Sequence, residues 1–221
     1  LAVMEANLSY VPSSTAKAEL ADISLFDHVK MTAAVANCIY DYLNEKQLNY
    51  KEVLFTKEKD FYEKEAFLLF SMDISGIQNF IYTIISKNAL RTLRARSFYL
   101  EILMEHIVDL FLEKLELSRT NLIYSGGGHC YLLLPNTENV KTKAKEFQQE
   151  LKKWFLKYFQ TELFVACGYA VCTANALRNI PDGSYGELFR TVGKRISEEK
   201  QHRYTAEDII WLNNRKTDDY S

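Results

Sequence analysis

The 221-residue sequence contains no run of about 18 apolar residues, the least a helix needs to cross a bilayer. Its first residues lack the charged-then-apolar pattern of a secretory leader. The chain opens on Leu1, as a piece cut from a longer polypeptide would. Cysteine is sparse. Cys38, Cys130, Cys167 and Cys172 sit in apolar segments, form no CxxC pair and have no histidine at zinc-finger spacing. They read as buried, reduced thiols of a cytoplasmic protein. An excess of one charge is also missing: 27 Lys and Arg against 29 Asp and Glu leave a formal net charge of -2. Domains that bind nucleic acid generically run strongly basic, so only a local basic face or a nucleotide pocket stays open. Glycine is scarce, with 8 in the chain, and three of them stand in a row at Gly126, Gly127 and Gly128.

What is present is a large apolar inventory, 48% of residues with 14 Tyr and 13 Phe, enough for a sizeable core. Residues 1–10 are helix-compatible, and VPSST breaks them. HVKMTAAVANCIYDYL predicts a helix with Val29, Ala33, Ala36 and Tyr40 on one stripe. Residues 44–65 are polar and charge-mixed and read as a connector. AFLLFSMD, over 66–73, has no room for a polar face and predicts a buried central strand. GIQNFIYTI then begins a helix. A longer helix is expected over 90–117, with Leu93, Leu100, Met104, Ile107 and Phe111 on one side. NLIYSGGGHCYLLL predicts a hairpin with strands near 121–125 and 129–134. A helix over 138–159 follows, its face carrying Val140, Ala144, Phe147, Leu151, Trp154 and Tyr158, and then a strand over 162–171. DGSYGELFRTVGKRISEEKQHRY is a basic-leaning helix, and the last ten or so residues read as frayed.

This order is the βαββαβ pattern of an α+β, ferredoxin-like domain, with helices on one face of an antiparallel sheet. The expectation is that the first strand lies in the middle, beside the strand leading into the hairpin. The end of AFLLFSMD and the bend of SGGGH then share one edge. A two-residue hairpin needs one or two glycines, and a third surrenders further backbone entropy, which points to a ligand approaching the backbone. Gly126, Gly127 and Gly128 would bare successive N–H groups, a nest for phosphate. Ser75 and Gly76 open a helix whose free N–H groups favour the same anion. Asp73 is placed to meet a Mg²⁺ carried by a nucleotide. Ser125 and Gln78 supply hydrogen bonds, and His129 donates to phosphate or ribose. The plain alternative is a loose turn, an N-cap from Asp73 to Ser75 and a half-buried histidine; the convergence of both motifs favours a site.

DISGIQNFIY, RTLRARSFYLEIL and LIYSGGGHCYLLLPN resemble the first palm domain of the large subunit of type III-A CRISPR effector (Csm) complexes. SLFDHVKMTAAVANCIYDYL resembles the end of that subunit's N-terminal HD nuclease domain, and ELFRTVGKRISEEKQHRY the segment after the palm. The resemblance implies an incomplete HD-type piece over 1–50, a linker over 51–65, a palm over 66–177 and a helical segment over 178–221. It further implies two palms that face each other, bind ATP and condense it into cyclic oligoadenylates once the complex captures target RNA. The HD domain separately cuts single-stranded DNA. The implied partners are ATP, the second palm of the same subunit, other Csm subunits, and CRISPR RNA and target RNA through the complex, with no membrane.

A catalytic palm carries a carboxylate at the end of its first strand and acids on its hairpin, and together they hold two Mg²⁺ ions. Asp73 matches the first carboxylate, but Ser75 stands two residues on, and Ser125-Gly126-Gly127-Gly128-His129 holds no acid. The resemblance therefore implies the ATP-binding, non-catalytic partner of the pair, with no catalytic residue or metal ligand of its own and Mg²⁺ held mainly by the second palm. Arg91, Arg94 and Arg96 form a basic cluster suited to phosphate, a neighbouring subunit or solvent. Lys194, Arg195 and Lys200 lie where cyclase palms place a phosphate-contacting lysine, and the register does not choose among them. Asp27 and His28 lack the His-Asp pair that defines an HD nuclease. Two rival readings are an RNA-binding module that stacks bases on an open sheet and a complete stand-alone cyclase. The aliphatic hairpin strands disfavour the first, and the missing acids the second.

Overall fold

The computed structural model describes residues 1–16, 20, 22–83 and 89–214. At its centre is β1 (Phe67–Ser75), a strand so apolar that both of its faces must be covered. Alternate side chains enter two separate cores. Leu68, Phe70, Met72 and Ile74 join one, and Phe67 and Leu69 the other. β2 (Leu122–Gly126) and β3 (His129–Pro135) form the hairpin, and β4 (Phe164–Cys172) completes an antiparallel sheet in the order β2-β3-β1-β4. The neighbour of β1 is thus the strand leaving the hairpin, not the one leading into it. β3 is buried from Leu132 to Pro135, whereas β2 is mostly half-buried or exposed beyond Leu122, and the more apolar strand takes the interior.

The sheet is sandwiched, where one covered face was expected. α5 (Ala89–Leu115) and α6 (Glu138–Phe159) pack on the first face. α2 (Leu25–Glu45) and α8 (Ser184–Gln201) pack on the second, against Leu69, Leu133, Phe164 and Ala166. These residues are as apolar as those on the opposite face, so leaving them wet would forfeit burial worth roughly 25 cal/mol per Å². α6 starts where Thr137 accepts a hydrogen bond from the Val140 N–H at 3.2 Å. Val140, Ala144, Phe147 and Leu151 face inward as expected, but Phe155 closes the stripe while Trp154 and Tyr158 stay exposed.

The buried side of α2 is Phe26, Ala34, Cys38 and Leu43, a different stripe from the one expected, and Tyr40 points to solvent. Ala34 and Cys38 are small enough to seat the helix on β3, where the Cys38 thiol lies 3.5 Å from the Leu133 carbonyl oxygen. Ser24 is the N-cap of α2 and bonds both the backbone and the carboxylate of Asp27, so Asp27 serves the helix end. The connector over 44–65 contains a π-helical turn (Glu52–Thr56) and α3 (Glu58–Tyr62), which buries Phe61. α1 (Ala2–Leu8), α4 (Ile77–Tyr82), α7 (Ala174–Leu177), α9 (Ala206–Asn214) and a 3-10 turn (Arg119–Asn121) complete the described helices. α9 occupies part of the tail expected to fray. Residues 215–221, and residues 84–88 of the helix expected from GIQNFIYTI, lie outside the described residues.

β1 runs two residues past its expected end, so Ser75 belongs to the strand and Gly76 is the N-cap of α4. Gly76 has φ +93°, and a Cβ there would lie 2.0 Å from the Glu162 carbonyl oxygen. The turn out of β1 therefore rests directly on the backbone leading into β4. Gly76→Ala is expected to destabilise the fold by at least about 2 kcal/mol, combining left-handed strain with a backbone clash. Urea denaturation checks this; an unchanged midpoint would mean that the loop gives way freely.

Candidate functional site

The end of β1 and the hairpin meet as expected: Asp73 stands opposite His129 in the register of β1 and β3. Lys200 Nζ donates to Asp73 Oδ2 at 2.6 Å, across 127 residues of sequence. His129 Nδ1 lies 3.7 Å from the same oxygen, and His129 Nε2 lies 2.9 Å from the hydroxyl of Ser71, a fully buried residue of β1. Burial pushes the His129 pKa below the ordinary histidine value; the Asp73 carboxylate opposes that fall and the Lys200 ammonium assists it. The imidazole is therefore neutral at neutral pH, and its approach to Asp73 is not an ion pair. The Ser71 hydroxyl donates to Nε2 when the ring carries its proton on Nδ1, on the side of Asp73.

The choice among Lys194, Arg195 and Lys200 follows from the helix. α8 buries Leu188, Val192 and Ile196, and Lys200 is the next residue at that four-residue spacing. It therefore emerges over the end of the sheet. Lys194 is exposed, and Arg195 turns to Glu198 at 3.4 Å. Ser71 escaped notice in the sequence because it lies inside an apolar run, although a lone hydroxyl there already demanded a partner.

Gly127 and Gly128 have φ of +61° and +80°, the sign pattern of the two-residue type I′ hairpin. A Cβ on Gly128 would also lie 2.2 Å from Ile77 Cδ1, so the turn and its packing account for this glycine. Gly126 has no positive φ. The backbone beside Gly127 faces open space, with nothing within 4 Å of where a Cβ would be.

The other candidate residues separate. Ser75 lies on the same side of β1 as Asp73, and its buried hydroxyl has no hydrogen-bond partner among the described residues. Ser125 faces α5, in register with Cys130, and its hydroxyl bonds Glu105. Burial works to raise the Glu105 pKa, but hydrogen bonds from Ser125 and Arg119 win and hold it below the usual carboxylate value. Gln78 is exposed on the six-residue α4. Arg96 donates to the Phe80 and Thr83 carbonyl oxygens and lies 5.1 Å from the Phe80 ring, so it fixes the end of α4. Arg91 and Arg94 are exposed.

Ser71, His129 and Asp73 have the composition of a hydrolytic triad without its geometry. The Ser71 hydroxyl is sealed in mid-strand, and 3.7 Å is too long for an imidazole–carboxylate hydrogen bond. Among the described residues no group of three or more His, Cys, Asp or Glu side chains is arranged to hold a metal ion. The one carboxylate at the strand end already has a cation in Lys200. This donor set suits an anion: the ammonium has two further N–H donors, and the backbone at Gly127 is bare.

Residues 66–215 match the family model described as Csm1 subunit domain B. The chain is 50% identical over 209 residues to the CRISPR system single-strand-specific deoxyribonuclease Cas10/Csm1 (subtype III-A) of Enterococcus italicus, covering 93% of this chain and 28% of that protein. Among solved structures it is similar to a Csm1–Csm4 cassette in complex with pppApA, with 27% identity, a TM-score of 0.76, and coverage of 90% of this chain and 27% of that one. A Csm1–Csm4 cassette in complex with AMPPNP gives 27% identity and a TM-score of 0.76 over 97% of this chain and 28% of that one. The chain thus spans little more than a quarter of the proteins it matches.

The electrostatics of the cluster carry a sign prediction. Lys200→Met removes a positive neighbour and is expected to raise the His129 titration midpoint; Asp73→Asn removes the negative one and is expected to lower it. Imidazole NMR titrations of the two variants check both signs, and a midpoint that ignores both would separate His129 from the cluster.

Proposed function

We propose, from the premise that this chain belongs to the Csm1 subunit domain B family, that it is the ATP-binding, non-catalytic palm of a cyclic oligoadenylate synthase in a type III-A CRISPR effector. The observation that carries this reading is the end of the sheet, where one ammonium balances the one carboxylate and the hairpin brings no acid. Lys200 rests on Asp73, the hairpin has no acid, and the space beside Gly127 is open. A triphosphate fits these donors. Lys200 supplies charge and the hairpin supplies backbone. His129 donates through Nδ1–H or, once protonated, as a cation.

A resident Mg²⁺ does not fit here, because a single carboxylate already engaged by an ammonium cannot assemble a two-metal centre. In this reading the metal and the attacking hydroxyl belong to a second palm of the same subunit, and this palm fixes the second ATP against it. That related Csm1–Csm4 cassettes hold pppApA and AMPPNP supports a nucleotide ligand. The βαββαβ unit over 66–177 is the palm; residues 1–50 are the end of an HD-type domain whose nuclease residues lie elsewhere in the subunit, 51–65 the linker, and 178–221 the lead to the next domain. α2 and α8 close the second face of the sheet in the same core. The subunit works in the cytoplasm with other Csm proteins, CRISPR RNA and target RNA. The rival RNA-binding reading needs an open sheet face for bases to stack on, and here helices cover both.

Titrating ATP into the 221-residue chain is expected to show weak binding and no cyclic oligoadenylate, since half of a composite site lacks the second palm's contacts. Lys200→Met, with an unchanged thermal melt, is expected to weaken that binding by about 1.5–3 kcal/mol, the usual worth of a hydrogen bond to a charged group. Oligoadenylate made by the chain alone would sink the non-catalytic assignment; unchanged affinity in Lys200→Met would remove the lysine from the site.

In the full-length subunit, Gly127→Val is expected to abolish oligoadenylate synthesis and leave cleavage of single-stranded DNA intact. A β-branched residue is strained at φ +61°, and its methyl groups enter the space assigned to phosphate. Synthesis at the normal rate in a folded Gly127→Val subunit would mean that the glycine serves only the turn.

A further inference from the structure

Among the described residues β4 forms one edge of the sheet, with β1 as its only strand partner. The hydrogen-bonding phase of that edge can be worked out. Ile74 N–H donates to the Gly128 carbonyl at 2.8 Å, so even-numbered residues of β1 bond β3 and odd-numbered ones bond β4. In β4, Phe164, Ala166, Gly168, Ala170 and Cys172 therefore face β1. Val165, Cys167, Tyr169 and Val171 turn their N–H and C=O groups outward.

The two halves of this edge differ. At Val165 and Cys167, 0% and 5% exposed, Gln148 and Lys152 of α6 reach across to Glu199 of α8 and close the edge. Farther along, Tyr169 and Val171 are 41% and 38% exposed. There the strand is the floor of a groove of about 1120 Å³ whose walls include Lys141 and Lys145 of α6 and Arg195 of α8. FVACGYAVC contains no proline and no charge, so the open half lacks the devices that normally keep an edge from pairing.

We infer that the open half of the β4 edge is completed by an extended polypeptide segment from elsewhere in the same subunit, which adds a short fifth strand against Tyr169 and Val171. Only an extended backbone matches outward N–H and C=O groups repeating every second residue. The edge is recessed between two helices. A second copy, whose own β4 is equally recessed, would bring its helix walls into collision before the strands met. A single segment passes between the walls. Relatives at 47–50% identity are more than three times longer than this chain, which covers 28% of each. Most of such a subunit is thus covalently linked to the groove, and a short flexible tether supplies an effective concentration of order millimolar. This inference does not rest on the nucleotide-binding reading.

Residue-resolved hydrogen exchange by mass spectrometry tests it, comparing the 221-residue chain with the full-length subunit that contains it. The Tyr169 and Val171 amides are expected to exchange about a hundredfold more slowly in the full-length subunit, without any other protein present. Tyr169→Pro deletes one outward N–H and spares the ladder to β1. It is expected to leave the short chain's melt nearly unchanged and to restore fast exchange at Val171 in the full-length subunit. Equal exchange in both proteins overturns the inference. So does protection that appears only when other Csm subunits are added, which would make the segment theirs. Protection in the short chain that grows with its concentration overturns it in favour of a second copy.

Discussion

Nine consecutive residues, Phe67–Ser75, are enclosed by helices on both sides, and an enclosed strand tolerates no slip in register. A shift of one residue would exchange Phe70 and Met72 with Ser71 and Asp73, driving a carboxylate into an apolar core. That cost fixes which side chain emerges at the strand's end and opposite which residue of β3. The polar cluster exists because an apolar constraint holds its floor. Ser71, buried at the heart of the strand, is the junction: its hydroxyl lies in the interior and supports His129.

Much of this was visible in the sequence wherever a single element decides the outcome. The period of α6, the two-sided burial of AFLLFSMD and the hairpin at SGGGH each depend on local pattern, and each appears close to its expected bounds. What stayed hidden depends on pairing between distant elements. The partner of β1 is not legible locally, because hairpin strands of similar composition differ only in how completely the helices bury them. The stripe of α2 is equally hidden, because small residues, Ala34 and Cys38, make its contact. The conformation of Gly76 answers to Glu162, 86 residues away in sequence. Lys194, Arg195 and Lys200 are equivalent in the sequence, and only the buried spacing of α8 separates them.

The shape of the hairpin does not depend on an acid at its bend. Its turn needs two left-handed residues, and Gly127 and Gly128 supply them whether or not an acid follows. The residue after the turn is His129, whose burial favours the uncharged ring. The Asp73 carboxylate opposite it is answered by the Lys200 ammonium of α8. A site balanced in this way holds its geometry without an ion. A pair of carboxylates at the same place would repel each other until a metal arrived.

Lys200 occupies the last turn of an eighteen-residue helix. An α-helix is stiff along its axis and advances about 1.5 Å per residue, so a slide of α8 by one residue's rise would part an ammonium and carboxylate now 2.6 Å apart. The contact thus works as a gauge of axial position. A pull on the chain beyond Gln201 would change the charge presented at the end of the sheet, opposed by the Leu188, Val192 and Ile196 packing of α8 and by the hold of Gln148 and Lys152 on Glu199.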